Sequence, residues 1–322
     1  MTDFTPYPPD LFGDANNGLK NNPLALRFII PPFSDLSARS KDWQNRKNEW
    51  SKLGIKSEMG RKDQLLGGST RAGYAALEKI DGCKRGDNGT SVFDPVLCEV
   101  IYSWFSFYGC QIVDPFCGGS VRGIIAALMG RYYYGVDLRD EQIKANEMQA
   151  QQLCNKVKPV YSVGDSFDKI NEAPYADFIF SCPPYGDLEK YSDDPNDLSN
   201  MEWHTFSARY KHIIKKTCDK LKDNRFACFV VGNFRSKKGF IRDLVGETIK
   251  GFEACGVNYY NEGILLTALG NAGMRATKQF NGGRKLVKTH QNILVFCKGD
   301  PKKAAMKIVT DKKSEQPTKE QE

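Results

Sequence analysis

The spacing of apolar and polar residues changes repeatedly from residue 95 onward. Short apolar runs, typical of buried strands, alternate with segments in which apolar residues recur at helical spacing. The runs that predict strands are 111–114, 132–137, 160–165, 176–180 and 225–231. The segments that predict helices are 95–105, 121–129, 141–152, 206–221 and 241–255. This alternation with short connections predicts a mostly parallel, doubly wound sheet with helices on both faces.

Two further strands are predicted over 261–269 and 292–298, and a basic loop separates them. Two closing strands without a helix between them predict an antiparallel hairpin at one edge of the sheet. The predicted fold is therefore α/β and Rossmann-like, with seven strands. We expect an irregular arm over 1–25, an extension over 26–90 as a candidate target-recognition region, a catalytic domain over 91–299, and a disordered tail over 300–322.

Composition narrows the protein class without deciding a function. The 322 residues are 40% hydrophobic, enough for one large α/β domain, and the net charge of +7 suits a polyanionic partner such as nucleic acid. Ten cysteines contain no C-x-x-C pair, and the three histidines show no ligand spacing, so we predict neither a metal site nor disulfides. The start of the sequence does not resemble a signal peptide and no run is long enough to cross a membrane, so we expect a cytoplasmic protein.

Acidic residues end three successive predicted strands. They are Asp114, Asp137 and Asp165, and a glycine-rich turn over 116–120 follows the first. Glycine lets a backbone approach a ligand closely, and the carboxyl ends of parallel strands meet at one edge of the sheet. Asp137 follows Asp114 by 137 − 114 = 23 positions, a spacing that suits an acceptor for ribose hydroxyls. Asp165 is placed to accept from an adenine amino group.

The predicted strand 176–180 runs into Ser181-Cys182-Pro183-Pro184-Tyr185. Two prolines fix the backbone and leave carbonyl groups without competing local donors. An aromatic ring directly after them can stack on a flat heterocycle. This string indicates a second functional loop at the same edge of the sheet.

Together, Asp114-Pro-Phe-Cys-Gly-Gly-Ser120 and Ser181-Cys-Pro-Pro-Tyr185 resemble the motifs of DNA amino-methyltransferases. Longer stretches, including 225–232 and 289–299, resemble a phage- and prophage-encoded group of these enzymes. The resemblance implies a class I methyltransferase fold and S-adenosylmethionine as cofactor. It implies methyl transfer to adenine N6 or cytosine N4 of double-stranded DNA whose target base is flipped out. It assigns cofactor binding to the residues Pro95, Asp114, Phe116, Gly118, Gly119 and Ser120.

In that family the Pro183 carbonyl and a polar side chain before it accept hydrogen bonds from the substrate amino group, while Tyr185 stacks on the base. Most members carry Asp, Asn or Ser where this chain has Cys182, and a thiol is a weak acceptor. Three alternatives stay open: Cys182 suffices, Ser181 contributes, or activity has been lost. We favour retained activity because the rest of the motif is present. The chain also has Gly119-Ser120 where the family usually has Ser-Gly.

The basic segment 270–290 is the predicted contact for DNA phosphates, against the alternative of a solvated charged loop. Its cations are Arg275, Lys278, Arg284, Lys285 and Lys288. Two alternative functions stay open as well. One is N-methylation of RNA or of a protein amide, and the other is a catalytically weakened module that binds cofactor or DNA.

Overall fold

A computed structural model describes residues 28–56, 93–186, 192, 194–270 and 272–314. Its central element is an eight-stranded sheet. The strands of that sheet are β1 (Asp35–Ser37), β2 (Gln111–Asp114), β3 (Tyr132–Asp137), β4 (Val160–Val163), β5 (Ala176–Ser181), β6 (Leu221–Val231), β9 (Val257–Leu266) and β10 (His290–Lys298). A separate two-stranded hairpin consists of β7 (Phe234–Arg235) and β8 (Ile241–Arg242).

Nine α-helices accompany these strands in the described ranges. They are α1 (Lys41–Lys52), α2 (Pro95–Phe105), α3 (Val121–Leu128), α4 (Asp140–Leu153), α5 (Ser166–Lys169), α6 (Trp203–Lys220), α7 (Leu244–Glu253), α8 (Ala272–Gly283) and α9 (Pro301–Ser314). Short 3-10 turns lie at Ile170–Glu172 and Leu198–Asn200.

The strand order is β1-β9-β10-β6-β5-β2-β3-β4. β10 is antiparallel to both of its neighbours, β6 and β9, and the other strand pairs of this sheet are parallel. The doubly wound, mostly parallel sheet predicted from the sequence is confirmed. The prediction of seven strands missed β1, which adds an eighth at the edge by pairing in parallel with β9.

Alternate residues of the central strands enter two different cores, as a sheet covered on both faces requires. In β5, Phe178 and Phe180 pack with α2 and α3, whereas Ile179 packs on the opposite face with α6 and α7. All three side chains are completely buried. Helices therefore cover both faces of the sheet, and the loops at the ends of its strands lie at the edge between the two helical layers.

The segment 28–56, which belongs to the extension predicted over 26–90, packs against the sheet domain. Trp43 and Trp50 of α1 are buried against α2. Trp50 Nε1 donates to Glu99 at 2.9 Å, and Arg46 forms an ion pair with the same carboxylate, which is fully buried. The predicted arm over 1–25 and most of the predicted extension, 57–90, lie outside the described residues.

Two helices occupy segments that the sequence predicted to be a loop and a disordered tail. α8 lies within the basic segment, and α9 follows the last strand. Ala304 and Ile308 of α9 are buried because a spacing of four residues places both on one side of the helix, against the sheet. The surrounding lysines conceal this short apolar stripe in the sequence. No helix among the described residues is long and apolar enough to cross a membrane.

Candidate functional site

A cavity of about 460 Å³ lies at the carboxyl ends of the parallel strands, where the loops after β2, β3, β4 and β5 meet. Ligands of doubly wound sheets bind at this edge. The structure brings together nine of the residues that the sequence predicted for the site: Phe116, Gly118, Gly119, Asp137, Asp165, Cys182, Pro183, Pro184 and Tyr185.

Asp114, predicted to contact the cofactor, lies behind the cavity wall rather than on it. The residue is fully buried, and each carboxylate oxygen already accepts two hydrogen bonds. Oδ2 accepts from Arg122 Nε at 2.6 Å and from Tyr133 OH at 2.7 Å. Oδ1 accepts from Ser181 Oγ at 2.5 Å and from the Phe116 amide at 3.0 Å. A carboxylate satisfied in this way positions the loop above it.

Arg122, which the sequence did not single out, connects Asp114 to the loop. Its guanidinium donates to the carbonyls of Phe116 at 2.6 Å and Cys117 at 3.0 Å, and lies 4.6 Å from the ring centroid of Phe93. Burial alone would lower the pKa of Arg122, but the Asp114 carboxylate outweighs it and raises that pKa above its usual value. Arg122 therefore stays charged and holds the glycine-rich turn from below.

The turn itself depends on Gly118. Its φ of +49° lies in the left-handed region, which favours glycine, and a Cβ there would meet no atom of the described residues within 4 Å. The Gly118 amide donates to Asp137 Oδ2 at 3.1 Å, and its carbonyl accepts from Asn146 Nδ2 at 2.7 Å. Ser120, predicted to bind the cofactor, is instead fully buried beneath the turn, where its hydroxyl has no hydrogen-bond partner among the described residues.

Asp137 ends β3 and lines the cavity. Its second oxygen accepts from the Arg139 amide at 2.9 Å, and the Arg139 side chain lies 3.8 Å from the same oxygen. Burial raises the pKa of Asp137, although Arg139 and the two amides partly offset the effect. Asp137 therefore lies at the cavity, and its contact with ribose hydroxyls stays a prediction.

Asp165 also lines the cavity, but it has partners that the sequence did not indicate. It caps α5 by accepting from the Phe167 amide at 2.8 Å, and it forms an ion pair with Arg209 of α6. The Arg209 guanidinium lies 4.6 Å from the ring centroid of Phe167, which holds it in place. Asp165 therefore has a structural role besides any contact with a ligand.

Ser181, one of the proposed acceptors for a substrate amino group, is fully buried at the end of β5 and does not line the cavity. Its hydroxyl donates to Asp114, which links the second loop to the first. Cys182 is half-buried and lines the cavity, so the structure exposes the thiol and not the serine.

Tyr185 lies at the far side of the cavity, with its hydroxyl accepting from Gln291 Nε2 at 2.8 Å. The ring meets Phe234 edge-on, with centroids 6.5 Å apart. Gln291 belongs to β10 and Phe234 to β7, so both contacts come from parts of the chain distant in sequence. No local motif reveals them.

The N-terminal segment supplies a further wall. Gln44 and Lys47 of α1 line the cavity together with Phe93 and Asp94. Lys47 Nζ lies 3.0 Å from Asp94, which also caps α2 by accepting from the Val96 amide at 2.9 Å. Pro95, predicted to bind the cofactor, is the buried first residue of α2, and the two residues before it reach the cavity instead.

The predicted DNA-contacting cations lie outside the cavity. Arg275 and Lys278 are exposed on α8, and Arg284 is exposed just after it, with its guanidinium 5.0 Å from the ring centroid of Phe280. Lys285 lies beside the β7–β8 turn, where a Cβ on Gly239 would be 2.8 Å from its ammonium group.

Lys288 approaches the second loop most closely. A Cβ on Gly232 would lie 3.0 Å from Lys288 Nζ and 3.6 Å from the Tyr185 ring, so the two side chains share one neighbourhood. Lys288 Nζ donates to the Asn233 carbonyl at 3.4 Å, and desolvation lowers its pKa. The basic segment therefore adjoins the entrance to the site.

The strand order ending in β6-β10-β9, with β10 reversed, is that of a known architecture. The chain has the class I methyltransferase fold. A family of proteins described as RNA cap guanine-N2 methyltransferases matches residues 110–230, which include both loops but less than half of the chain. No curated protein matches the sequence.

Three solved structures are similar to this chain at low sequence identity. Magnesium protoporphyrin IX methyltransferase from Synechocystis, with bound S-adenosylmethionine, is 14% identical over 71% of this chain and 95% of its own, with a TM-score of 0.42. TrmN from Thermus thermophilus is 13% identical over 70% and 65%, with a TM-score of 0.43. Precorrin-6y C5,15-methyltransferase from Geobacter metallireducens is 10% identical over 65% and 92%, with a TM-score of 0.43.

The strand topology, the cavity at the strand ends and the matched family are those of an S-adenosylmethionine-dependent methyltransferase. This agrees with the fold and the cofactor predicted from the sequence.

Proposed function

We propose that this methyltransferase acts on the exocyclic amino group of a nucleobase in DNA, at adenine N6 or cytosine N4. The observation that carries the proposal is that one cavity is lined both by the glycine-rich turn around Gly118 and by Pro183, Pro184 and Tyr185. A cofactor bound at the turn and a base bound at the second loop would share a single enclosed space. Its volume of about 460 Å³ lies within the usual range for ligand pockets.

The residues present fit S-adenosylmethionine. Gly118 lines the cavity and has no side chain, so it leaves room for a ligand against the backbone. Asp137 would accept hydrogen bonds from ribose hydroxyls, and Phe116 and Gly119 would enclose the cofactor from the turn. When bound, the cofactor supplies an electrophilic methyl group on a sulfonium centre. Asp114 would act as a positioning residue, because its carboxylate is consumed by contacts within the protein.

The second loop would orient the acceptor nitrogen. The Pro183 carbonyl would accept a hydrogen bond from the substrate amino group, and the two prolines would hold the backbone of this loop fixed. Cys182 would add a weak second acceptor from the cavity wall. Tyr185 would stack on the base, held by Gln291 and Phe234. These contacts direct the nitrogen lone pair toward the methyl group, so catalysis rests on positioning.

DNA is proposed as the polymer because the motif pair resembles DNA amino-methyltransferases. The second candidate is the N2 amino group of guanine in RNA, which the match over 110–230 favours. Both reactions transfer a methyl group to an exocyclic base nitrogen and would use the same loops. They differ in the polymer and in the base that reaches Tyr185.

Methylation assays with both polymers test the proposal. Purified protein is incubated with S-adenosylmethionine and either duplex DNA or RNA, and the nucleosides are identified by mass spectrometry. N6-methyladenine or N4-methylcytosine in DNA is the expected result. N2-methylguanine in RNA alone would favour the second candidate. Cofactor binding by calorimetry without methylation of either polymer would reject amino-group transfer to nucleic acid, whether or not a protein amide is methylated.

A further inference from the structure

A second cavity lies directly beside the second loop, Ser181–Tyr185. Its volume is about 310 Å³, and its wall is predominantly polar. The residues that line it come from the end of the second loop, from the turn before α6, from α6 itself and from the β7–β8 hairpin. They include Gly186, Glu202, Trp203, Phe206, Lys237 and Arg242.

Two cations face this cavity. Lys237 is exposed at the hairpin turn, and Arg242 lies in β8 with its guanidinium 5.4 Å from the ring centroid of Trp203. Neither forms an ion pair with any residue in the described part of the chain, in contrast to Arg209, which is paired with Asp165. Glu202 is the one carboxylate on the described wall, and it is exposed. The cavity therefore favours an anion over a cation.

Aromatic packing holds Arg242 in place. Trp203 stacks on Phe206 with centroids 5.4 Å apart and meets Phe234 edge-on at 5.8 Å. Because Phe206 and Arg242 lie against the indole, the ring serves as a support for the guanidinium. A planar guanidinium fixed on a rigid ring recognises phosphate oxygens better than a mobile cation does.

The position of the cavity relates it to the base site. Tyr185 lines the first cavity, and the next residue, Gly186, lines the second. Phe234 meets both Tyr185 and Trp203, so one ring separates the two aromatic walls. Gly186 has a φ of +53°, and a Cβ there would lie 2.9 Å from the Phe234 ring, so a side chain at this position would strain the chain where it passes between the cavities.

We infer that the second cavity binds a backbone phosphate next to the target nucleotide of a polynucleotide substrate. The inference rests on the proposed function, because it takes Tyr185 as the base-stacking residue. A base held on Tyr185 is joined through its sugar to a phosphate one backbone unit away, and the adjoining cavity offers Lys237 and Arg242 to that phosphate. This site differs from the basic segment around α8, which lies outside both cavities.

The test uses an unmethylated DNA duplex that contains the sequence the protein methylates. Its binding is measured by fluorescence anisotropy across salt concentrations. Lys237→Gln and Arg242→Gln should each raise Kd roughly tenfold, since hydrogen bonds to charged groups contribute on this scale. Each should also reduce the salt slope by about one, as loss of one phosphate contact does. Lys238→Gln is the matched control, because Lys238 is an exposed cation of the same turn that does not line the cavity.

Duplexes with a single neutral methylphosphonate, moved stepwise along the strand near the target base, locate the contact. One position should raise the wild-type Kd at least roughly tenfold and leave the Kd of the double variant Lys237→Gln/Arg242→Gln unchanged. The inference is overturned if no position behaves in this way, or if Lys238→Gln weakens binding as much as Lys237→Gln. Unchanged DNA methylation with unchanged binding in both variants would reject this site alone. A wild-type protein that neither binds nor methylates DNA would reject the proposed function as well.

Discussion

The loop after β2 and the loop after β5 line the same cavity, but different contacts hold them. The first rests on a buried charged network in which Asp114 accepts from Arg122, Tyr133 and Ser181. The second is restricted by two prolines, and the contacts of its Tyr185 include a hydrogen bond from Gln291 and an edge-on contact with Phe234 at the surface of the cavity. Buried side chains hold the first loop, whereas residues at the surface of the cavity hold the second.

This difference separates two kinds of requirement. A buried charged network requires all of its members, because a lone buried charge is strongly unfavourable. Its residues should therefore affect folding and activity together. Residues of the second loop contact the cavity rather than the core, so their loss should affect turnover and leave the fold intact. Ser181 joins the two regions, since it belongs to the second loop by sequence and to the network by contact.

The largest expected effect is that of Asp114→Ala. The substitution leaves the Arg122 guanidinium buried without its partner, and we expect the free energy of unfolding to fall by about 3–5 kcal/mol. Urea denaturation followed by circular dichroism measures it. Asp137→Ala is the matched control, because that carboxylate also ends a strand but is partly accessible from the cavity, and a loss below about 2 kcal/mol is expected. Equal losses in the two variants would contradict the distinction between the loops.

Unlike Asp114→Ala, Tyr185→Ala should reduce turnover and leave the stability of the fold unchanged. Removal of a stacking ring costs about 1–3 kcal/mol per base, so kcat/KM should fall by up to roughly a hundredfold. The urea midpoint should stay close to the wild-type value. Tyr185→Phe keeps the ring and loses the hydroxyl that accepts from Gln291, so its kcat/KM should stay within a few-fold of wild type. Full activity in Tyr185→Ala would show that the ring does not hold the base.

Asp137→Asn sharpens the comparison on the cofactor side. The substitution removes the charge of a carboxylate that lines the cavity and that also accepts from two backbone amides. We expect S-adenosylmethionine binding to weaken about tenfold, measured by calorimetry, with a smaller effect on folding.

The pH dependence of this binding gives an independent check. Burial raises the pKa of Asp137, so on acidification it takes up a proton at a higher pH than an ordinary aspartate. Wild-type affinity should therefore decline as the pH falls through that raised pKa, whereas Asp137→Asn should lose this component. A variant that keeps the wild-type pH profile would assign the titration to another group.

The sequence predicts the loops well because their signals are local. Acids at strand ends, the turn around Gly118 and the run Pro183-Pro184-Tyr185 each occupy a few consecutive residues. Parallel topology then requires these loops to meet at one edge. Nine of the thirteen predicted catalytic and cofactor residues line the cavity for this reason.

The supporting contacts were not predictable in the same way. Nothing in the sequence distinguishes Arg122 from other residues of a helix, and its role follows from its ion pair with Asp114 beneath the turn. Gln291 lies 106 positions from Tyr185, and a single sequence gives no sign that they meet. The same holds for Lys47 of α1, which reaches the cavity because two tryptophans dock that helix on α2. Long-range packing decides these positions, and local pattern does not report it.

Helices α8 and α9 were missed for a different reason. Three glycines lie in α8 and five lysines lie in α9, so the usual signs of an amphipathic helix are weak in both segments. In α9 two buried residues, Ala304 and Ile308, suffice to dock the helix on the sheet. In α8 the side chains after Ala272 are largely exposed, and Arg275 and Lys278 are therefore presented from a helix rather than from a flexible loop.

The smallest expected effect concerns Cys182, which tests how the second loop works without its usual polar residue. Cys182→Asp places a strong acceptor on the cavity wall, and we expect kcat to be retained or to rise up to about tenfold. Cys182→Ala removes the thiol, and a kcat within a few-fold of wild type would assign the main acceptor role to the Pro183 carbonyl. A large loss in Cys182→Ala would assign it to the thiol instead. Since Ser181 is committed to Asp114, an inactive but folded Cys182→Asp that still binds cofactor would mean that the substrate nitrogen approaches from elsewhere.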